Sequence, residues 1–319
     1  MAERGWIAGT ARAPGGTRPF KLWVPAALEE SRACPLVMML HGCTHDAEEM
    51  AAISGMNGVA DANRFLVVYP EQTRLANLMK CWNWFHHGHQ ARDAGEPSIL
   101  AAVVRKVAAM HHVDSNRTYV AGASAGGAMA SILAATYPDL FAAVAVSAGA
   151  EFKAAGGFSE GLSAMKRGGP DPVRQGQLAF EAMHSGLQLN NRRRMPVIVF
   201  HGVADAIVSP VNAEQIVAQW RETNARLAAE HQESGFFLTE KVISGTVPHG
   251  YAYQRHIYAE ADDRPLIEKW LIPGLGHAWS GSPTASRYGD PKGPNASAEI
   301  WRFFSETGAL HPKPMEGAG

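Results

Sequence analysis

A single serine between small residues is the first candidate for chemistry in this chain. Residues 122–126 read GASAG and match the pattern G-x-S-x-G, in which a serine lies on a sharp turn between a strand and a helix. Glycines on both sides let neighbouring backbone approach the serine closely. The run TYVA before it predicts the strand, and the Ala-rich segment after it predicts the helix. Ser124 could instead cap that helix, because both roles need the same strand-to-helix turn.

A reactive serine hydroxyl needs a base, and the chain order serine, acid, histidine is typical of acyl-transfer sites on this turn. Of the 14 histidines, His277 follows the apolar strand LIEKWLI and the loop PGLG, which can bring an imidazole over the sheet edge. Asp205 follows the strand PVIVFHG, where a carboxylate would orient that imidazole. We therefore predict Ser124 as nucleophile, Asp205 as acid and His277 as base.

Acyl transfer also needs N–H donors for the oxyanion of its tetrahedral intermediate. The amide of Ala125, directly after the serine, is the first candidate. The second candidate is the amide of Cys43, in the loop HGCT at 41–44 that follows the apolar strand PLVMML. An ordinary tight turn is the alternative interpretation of this loop.

The elements between these residues predict an α/β fold in one domain. Alternating strands and helices, with strands apolar on both faces, indicate a mostly parallel central sheet flanked by helices and joined by right-handed crossovers. The strand-like runs are 20–24, 35–40, 65–69, 118–121, 142–146, 196–201 and 266–272, and the helical segments are 98–111, 125–137 and 211–231.

Two segments depart from this alternation. Residues 150–195, rich in glycine and polar residues and ending near the basic run 192–194, predict an insertion after the sixth strand. It could be a lid or pocket wall over one end of the sheet, or a solvated excursion. Residues 234–265 predict an extra hairpin before His277.

Composition argues against several classes of partner. Lys plus Arg number 29 and Asp plus Glu number 30, for a formal net charge of −1, which argues against nucleic acid. No uninterrupted run of about 18 apolar residues is present, so we expect no membrane span. The N-terminal MAERGWIAGTARAPGG lacks the apolar core of a signal peptide.

Three cysteines allow three possible disulfide pairings, and their number does not indicate the cellular compartment.

Taken together, the motifs resemble the polyhydroxybutyrate depolymerase family of esterases in the α/β-hydrolase superfamily, related to feruloyl and acetylxylan esterases. The resemblance spans about residues 20–305, within a single catalytic domain over 1–319 and with no separate polymer-binding domain. It implies the α/β-hydrolase fold, an acyl-enzyme on Ser124 with Asp205 and His277, and no cofactor or metal. The matching segments are LHGCT (40–44), CWNWF (81–85), GEP (95–97), 122–146, HG-x-x-D (201–205), GHAWSG (276–281) and DPKGPNAS (290–297).

The resemblance further implies a disulfide between Cys43 and Cys81, beside the loop that would bind the oxyanion. That pairing leaves Cys34 as a free thiol. Family and disulfide together favour an extracellular or periplasmic location, whereas the absence of a signal peptide leaves the cytoplasm open. The oligomeric state stays open as well.

Aromatic side chains in the matching motifs suggest where substrate would bind. Trp82 in CWNWF and Trp279 beside His277 are expected to contact substrate, although at least one aromatic of CWNWF is expected to fill the core. The expected substrates are 3-hydroxyalkanoate oligomers or polyester and short-chain esters. Because only the short tail HPKPMEGAG follows the expected catalytic domain, soluble oligomers or small esters are favoured over solid polymer. The alternatives are feruloyl or acetyl esters of plant polysaccharide, a peptidase, and a catalytically silent binding protein.

Overall fold

A mixed sheet with helices on both faces organises the chain. The structure is a computed structural model that describes residues 4–29, 31–185, 193–233 and 235–307. Its strands are β1 (Gly5–Ala13), β2 (Gly16–Val24), β3 (Cys34–Leu40), β4 (Leu66–Pro70), β5 (Val113–Ala123), β6 (Val144–Ser147), β7 (Val197–Gly202), β8 (Thr239–Thr246), β9 (Ala252–Ala259), β10 (Pro265–Ile272), β11 (Trp279–Ser280) and β12 (Gly289–Asp290). Its helices are α1 (Ala47–Ser54), α2 (Met56–Asn63), α3 (Gly95–Met110), α4 (Ala125–Thr136), α5 (Phe158–Arg167), α6 (Pro172–His184), α7 (Val211–Glu230) and α8 (Ala296–Thr307).

Ten of these strands, all within the described residues, form one sheet in the order β1-β2-β4-β3-β5-β6-β7-β10-β9-β8. The six strands from β4 to β10 in this order run parallel to one another. The hairpin β1–β2 adds antiparallel strands at one edge, and the predicted extra hairpin β8–β9 adds them at the other. The prediction of a mostly parallel sheet with helices around it is confirmed.

The parallel strands are apolar on both sides because each side faces a separate helical layer. In β3, Leu36 and Met38 join a core with α3, α4 and α7, whereas Val37 and Met39 join a second core with α1, α2 and α8. All four side chains are fully buried. Burying one such side chain contributes roughly 1.5–3 kcal/mol, so both layers hold the strand ends in place.

The N-terminal strand β1 and helices α1, α2 and α8 were not among the predicted elements. Strand β1 lies at the sheet edge, so its exposed and half-buried positions alternate and give only a weak apolar pattern. Gly9 is required there because a Cβ would lie 2.4 Å from the ring of Phe20 on β2. Helix α1 begins at a capping box, in which Asp46 and Glu49 accept from each other's amides.

The predicted insertion after β6 contains α5 and α6, which are fastened to α7. The side-chain amide of Gln219 accepts from the Phe152 amide at 2.8 Å and donates to the Phe152 carbonyl at 3.0 Å. Asn212 donates to the carbonyl of Ala164 at 3.0 Å, which ties α5 to the start of α7. Over residues 150–185, the insertion is therefore a packed wall rather than a solvated excursion.

Parts of the predicted insertion, of the predicted extra hairpin and of the C-terminal tail lie outside the described residues. Arg192, the first residue of the basic run, is among the residues that are not described. Arg194, the last residue of that run, forms an ion pair with Glu260 in which Nε and Oε1 are 2.8 Å apart. The tail at 311–319 also lies outside the described residues. In the ranges that are described, no helix is long and apolar enough to span a bilayer.

Candidate active site

Ser124 lies on a tight turn between β5 and α4, in a backbone conformation that side chains rarely adopt. Its φ is 55° and its ψ is −119°. The turn is fixed because the Ser124 amide donates to the carbonyl of Ser147 at 2.8 Å, and the Ala128 amide donates to the Ser124 carbonyl at 3.0 Å. The side chain makes no capping hydrogen bond to α4. A capping role for the Ser124 hydroxyl is therefore not observed.

The two flanking glycines are required by close backbone contacts. A Cβ on Gly122 would lie 2.2 Å from the carbonyl oxygen of Gly126, and a Cβ on Gly126 would lie 2.2 Å from the carbonyl oxygen of Leu40. Neither position can hold a side chain without moving β3 or the first turn of α4. This accounts for the G-x-S-x-G pattern in steric terms.

Asp205 and His277 meet above the ends of two neighbouring parallel strands. Asp205 follows β7 and His277 follows β10, and these strands pair in parallel. Nδ1 of His277 donates to Oδ2 of Asp205 at 2.7 Å. The other carboxylate oxygen accepts from the amides of Ile207 at 2.8 Å and Val208 at 2.9 Å. The carboxylate is thus held by one side chain and two backbone donors.

Opposing effects set the charge of Asp205. Burial raises its pKa, but the hydrogen bond and charge of His277, together with the Val208 and Ile207 amides, outweigh burial and leave the pKa below its ordinary value. Asp205 is therefore ionised at neutral pH. In neutral His277 the proton then belongs on Nδ1, which leaves Nε2 free to accept a proton.

A second histidine, which is fully buried, supports the Asp205 loop. Nε2 of His201 donates to the carbonyl of Val208 at 3.0 Å and lies 3.6 Å from Oδ2 of Asp205. Burial lowers the pKa of His201, so this ring is neutral at neutral pH. In the sequence, His201 is only the histidine of the HG-x-x-D motif, and its contact with the Asp205 loop requires the three-dimensional structure.

The loop after β3 is held in place by hydrogen bonds to its side chains and its backbone. His41 donates through Nδ1 to the Gly42 carbonyl at 2.7 Å and accepts through Nε2 from the Gln72 amide at 3.0 Å. Burial lowers the pKa of His41 to about 4, so it keeps this neutral bonding pattern. The Thr44 amide donates to the carbonyl of Met79. Within the described residues, the Cys43 amide makes no backbone hydrogen bond. The Cys43 amide is therefore available as a donor.

The disulfide between Cys43 and Cys81 is present, as the family resemblance implies. It joins the loop after β3 to the CWNWF segment across 38 residues of chain. Cys34 is a buried free thiol, and burial raises its pKa to about 11. Cys34 is therefore protonated and unreactive at neutral pH.

A buried carboxylate connects these segments, and sequence reasoning did not single it out. Glu96, fully buried in the first turn of α3, accepts from the backbone amide and the side-chain amide of Asn83, each at 2.7 Å. It also binds Arg18 at 3.3 Å and the side-chain amide of Gln72, which donates in turn to the Cys81 carbonyl at 3.0 Å. A glutamate within the GEP motif at the start of a buried helix was the available signal.

One cavity of about 300 Å³ is lined by Ser124, His277 and Cys43. Most of its lining is apolar, which is typical of small-molecule sites. The insertion forms one wall through the face of α5 that carries Phe158, Leu162 and Met165. The spacing of these three residues places them on one side of the helix.

The structure corrects one predicted substrate contact and places the other at the cavity. Trp82 is fully buried beside His41, with ring centroids 5.4 Å apart, and does not line the cavity. Its neighbours Trp84 and Phe85 do line it. Trp279 also lines the cavity, and its Nε1 donates to Ser297 Oγ at 3.2 Å. The composition of CWNWF alone could not show which of its aromatic rings faces the cavity.

Residues 19–235 match the family model described as Esterase PHB depolymerase. The chain belongs to this family. Poly(3-hydroxyalkanoate) depolymerase C of Paucimonas lemoignei is 34% identical over 267 residues, which cover 83% of this chain and 59% of that protein. This chain therefore matches less than two thirds of that relative's length. Feruloyl esterase B of Thermothelomyces thermophilus is 29% identical over 269 residues, covering 80% of this chain and 82% of the relative.

A solved structure of an esterase shares the fold. The acetyl xylan esterase from Aspergillus awamori has a TM-score of 0.68 at 22% sequence identity, covering 85% of this chain and 94% of that one. The architecture is thus the α/β-hydrolase fold, as the family resemblance implies.

Proposed function

We propose that this protein hydrolyses carboxylic esters through an acyl-enzyme on Ser124. The observation that carries the proposal is the hydrogen bond from His277 to Asp205, with His277 and Ser124 lining the same cavity. Nε2 of His277 takes the proton as Oγ of Ser124 attacks the ester carbonyl, and later gives it to the leaving alcohol. Water, activated by the same nitrogen, then attacks the acyl-enzyme and releases the acid.

The negative charge that develops on the carbonyl oxygen is stabilised by the amides of Ala125 and Cys43. Ala125 is the first residue of α4, where N–H groups have no partner within the helix and the helix field favours negative charge. The Cys43 amide is held in place by the disulfide to Cys81 and by His41 beneath the loop. Fixed donors of this kind stabilise the transition state more than the ground state.

We propose short-chain 3-hydroxyalkanoate esters and their oligomers as the substrate class. The mostly apolar lining and the volume of about 300 Å³ favour short aliphatic groups. The name of the Paucimonas relative supports the same class. Because the cavity draws on residues 42–288, we propose that this part of the chain acts as one catalytic unit.

The test compares the wild-type protein with Ser124→Ala on p-nitrophenyl butyrate and on 3-hydroxybutyrate trimer. We expect kcat to fall by about 10³-fold or more in the variant, because the nucleophile is lost. Ser305→Ala, on the exposed side of α8, is the matched control and should keep wild-type kcat. Retained hydrolysis by Ser124→Ala would contradict the mechanism. Faster hydrolysis of methyl ferulate or acetylated xylan than of the trimer would contradict the substrate class.

A further inference from the structure

The cavity contains a second pair of polar side chains that the proposed chemistry does not use. His45 and Tyr288 both line the cavity, and their ring centroids lie 4.6 Å apart at an interplanar angle of 81°. No hydrogen bond to either side chain occurs within the described part of the chain. A polar group of a bound ligand can therefore hydrogen-bond to this pair in a cavity that is otherwise mostly apolar.

His45 lies beside the nucleophile. A Cβ built on Gly42 would be 3.5 Å from Cβ of Ser124 and 3.7 Å from Nδ1 of His45. The side chains of Ser124 and His45 therefore both lie within 4 Å of the Cβ position of Gly42. A substrate bound at Ser124 is therefore within reach of the His45 ring.

Tyr288 is joined through its backbone to the segment that follows His277. It belongs to the segment that returns to β11, and the Trp279 amide donates to the Tyr288 carbonyl at 2.8 Å. Trp279 is two residues after His277. The Tyr288 backbone is therefore held beside the segment that begins at His277.

The His45 ring is neutral, so it does not demand a charged ligand. Burial lowers its pKa, the carboxylates of Glu49 and Asp46 oppose this, and the charge of His277 lowers the pKa further. A neutral imidazole offers one donor and one acceptor nitrogen, and a tyrosine hydroxyl can donate and accept. Together they match a neutral carbonyl or hydroxyl oxygen.

We propose that His45 and Tyr288 form a subsite for the alcohol portion of the ester, when that portion carries a carbonyl or hydroxyl oxygen near the scissile bond. The inference rests on the proposed function, in which His277 protonates the leaving oxygen. The alcohol then departs past His277, towards Tyr288 and Trp279. The wall formed by α5 receives the acyl portion.

Three short esters test the subsite through ratios of kcat/KM. They are butyl butanoate, methyl 3-(butanoyloxy)butanoate with the carbonyl on the alcohol side, and butyl 3-hydroxybutanoate with a hydroxyl on the acyl side. Because the second ester also contains a methyl ester, its hydrolysis is measured as release of butanoate. We expect Tyr288→Phe and His45→Leu each to lower the ratio of the second ester to the first by about tenfold, the effect of one hydrogen bond. The ratio of the third ester to the first should stay constant.

Control variants make the test specific. Tyr253→Phe, on β9 and outside the cavity, should keep all ratios, and His45→Asn should recover part of the ratio because it keeps a donor and an acceptor. Unchanged ratios in both Tyr288→Phe and His45→Leu would overturn the subsite. A loss confined to butyl 3-hydroxybutanoate would overturn its place on the alcohol side. If the wild-type protein hydrolyses none of the three esters, both the proposed function and the subsite are contradicted.

Discussion

Asp205 and His277 lie 72 residues apart in the chain and are joined by a hydrogen bond of 2.7 Å between Oδ2 and Nδ1. The contact forms because β7 and β10 are parallel neighbours, so the loops after them lie at the same edge of the sheet. The second oxygen of Asp205 is occupied by two backbone amides, which prevents the carboxylate from turning away. The imidazole therefore has one defined orientation towards the cavity.

Replacement of Asp205 by asparagine should lower kcat on p-nitrophenyl butyrate by about 10⁴-fold, because a neutral amide no longer selects the His277 tautomer with its proton on Nδ1. KM should change little, since Asp205 does not line the cavity. Steady-state kinetics check both parameters. Asp263→Asn, in the exposed turn before β10, is the control and should keep wild-type rates. A kcat within tenfold of wild type in Asp205→Asn would show that the pair does not act in catalysis.

The disulfide should stabilise the fold and hold the Cys43 amide in place. Cys81→Ala opens a loop of 38 residues and should lower the free energy of unfolding by about 3–4 kcal/mol in the chain-entropy account. It should also lower kcat, since the loop carrying Cys43 is then held only by its hydrogen bonds. Urea unfolding and ester hydrolysis measure the two effects. A reductant should lower the stability of the wild-type protein and leave that of Cys81→Ala unchanged; equal sensitivity of both would contradict this role.

Glu96 should matter for stability although it is remote from the nucleophile. Glu96→Gln removes the charge that pairs with Arg18 and exchanges one acceptor oxygen for a donor facing the amides of Asn83 and Gln72. We expect a loss of about 3 kcal/mol in the free energy of unfolding, typical of a broken buried ion pair. The matched control is Glu48→Gln, which breaks the exposed pair with Lys21 and should cost about 0.5 kcal/mol or less. Equal losses in the two variants would contradict a structural role for Glu96.

Glu151 should make the free energy of unfolding depend on pH between about 4.5 and 8. Its carboxylate oxygens have no hydrogen-bond partner among the described residues, and burial, with the nearby charge of Asp171, raises its pKa to about 8. The folded protein therefore holds a proton that the unfolded chain releases near pH 4.5. Stability from this group is full below pH 4.5 and falls as the pH rises towards 8.

Glu151→Gln removes this dependence. The Tm difference between Glu151→Gln and wild type should be small at pH 5 and should grow by a few degrees in favour of the variant by pH 8. Glu181→Gln, on the exposed face of α6, is the control and should show no such trend. Parallel Tm curves for Glu151→Gln and wild type across this range would contradict a buried neutral carboxyl.

The sequence predicted best those features that depend on short segments. The strand, the turn at Ser124 and the start of α4 are adjacent in the chain, and the glycines at 122 and 126 meet backbone that the turn itself brings close. Asp205 and His277 could be predicted because each follows an apolar strand, and parallel strands end at the same edge. The mostly parallel sheet followed from the same apolar runs.

Features that depend on distant packing could not be predicted in this way. Trp82 and Trp84 are two residues apart in one motif, and only the packing around His41 determines that Trp82 is core and Trp84 lines the cavity. His45 and Tyr288 meet across most of the chain. Strand β1 was missed because an edge strand lacks the continuous apolar run of a central one.

The central claim is that Ser124 is the nucleophile of an ester hydrolase, and covalent labelling tests it most directly. The wild-type protein is treated with a fluorophosphonate, and the modified peptide is located by mass spectrometry. The account predicts one stoichiometric label on Ser124, loss of ester hydrolysis in proportion to labelling, and no label in Ser124→Ala. A label on another residue, or full hydrolytic activity in protein labelled at Ser124, would contradict it.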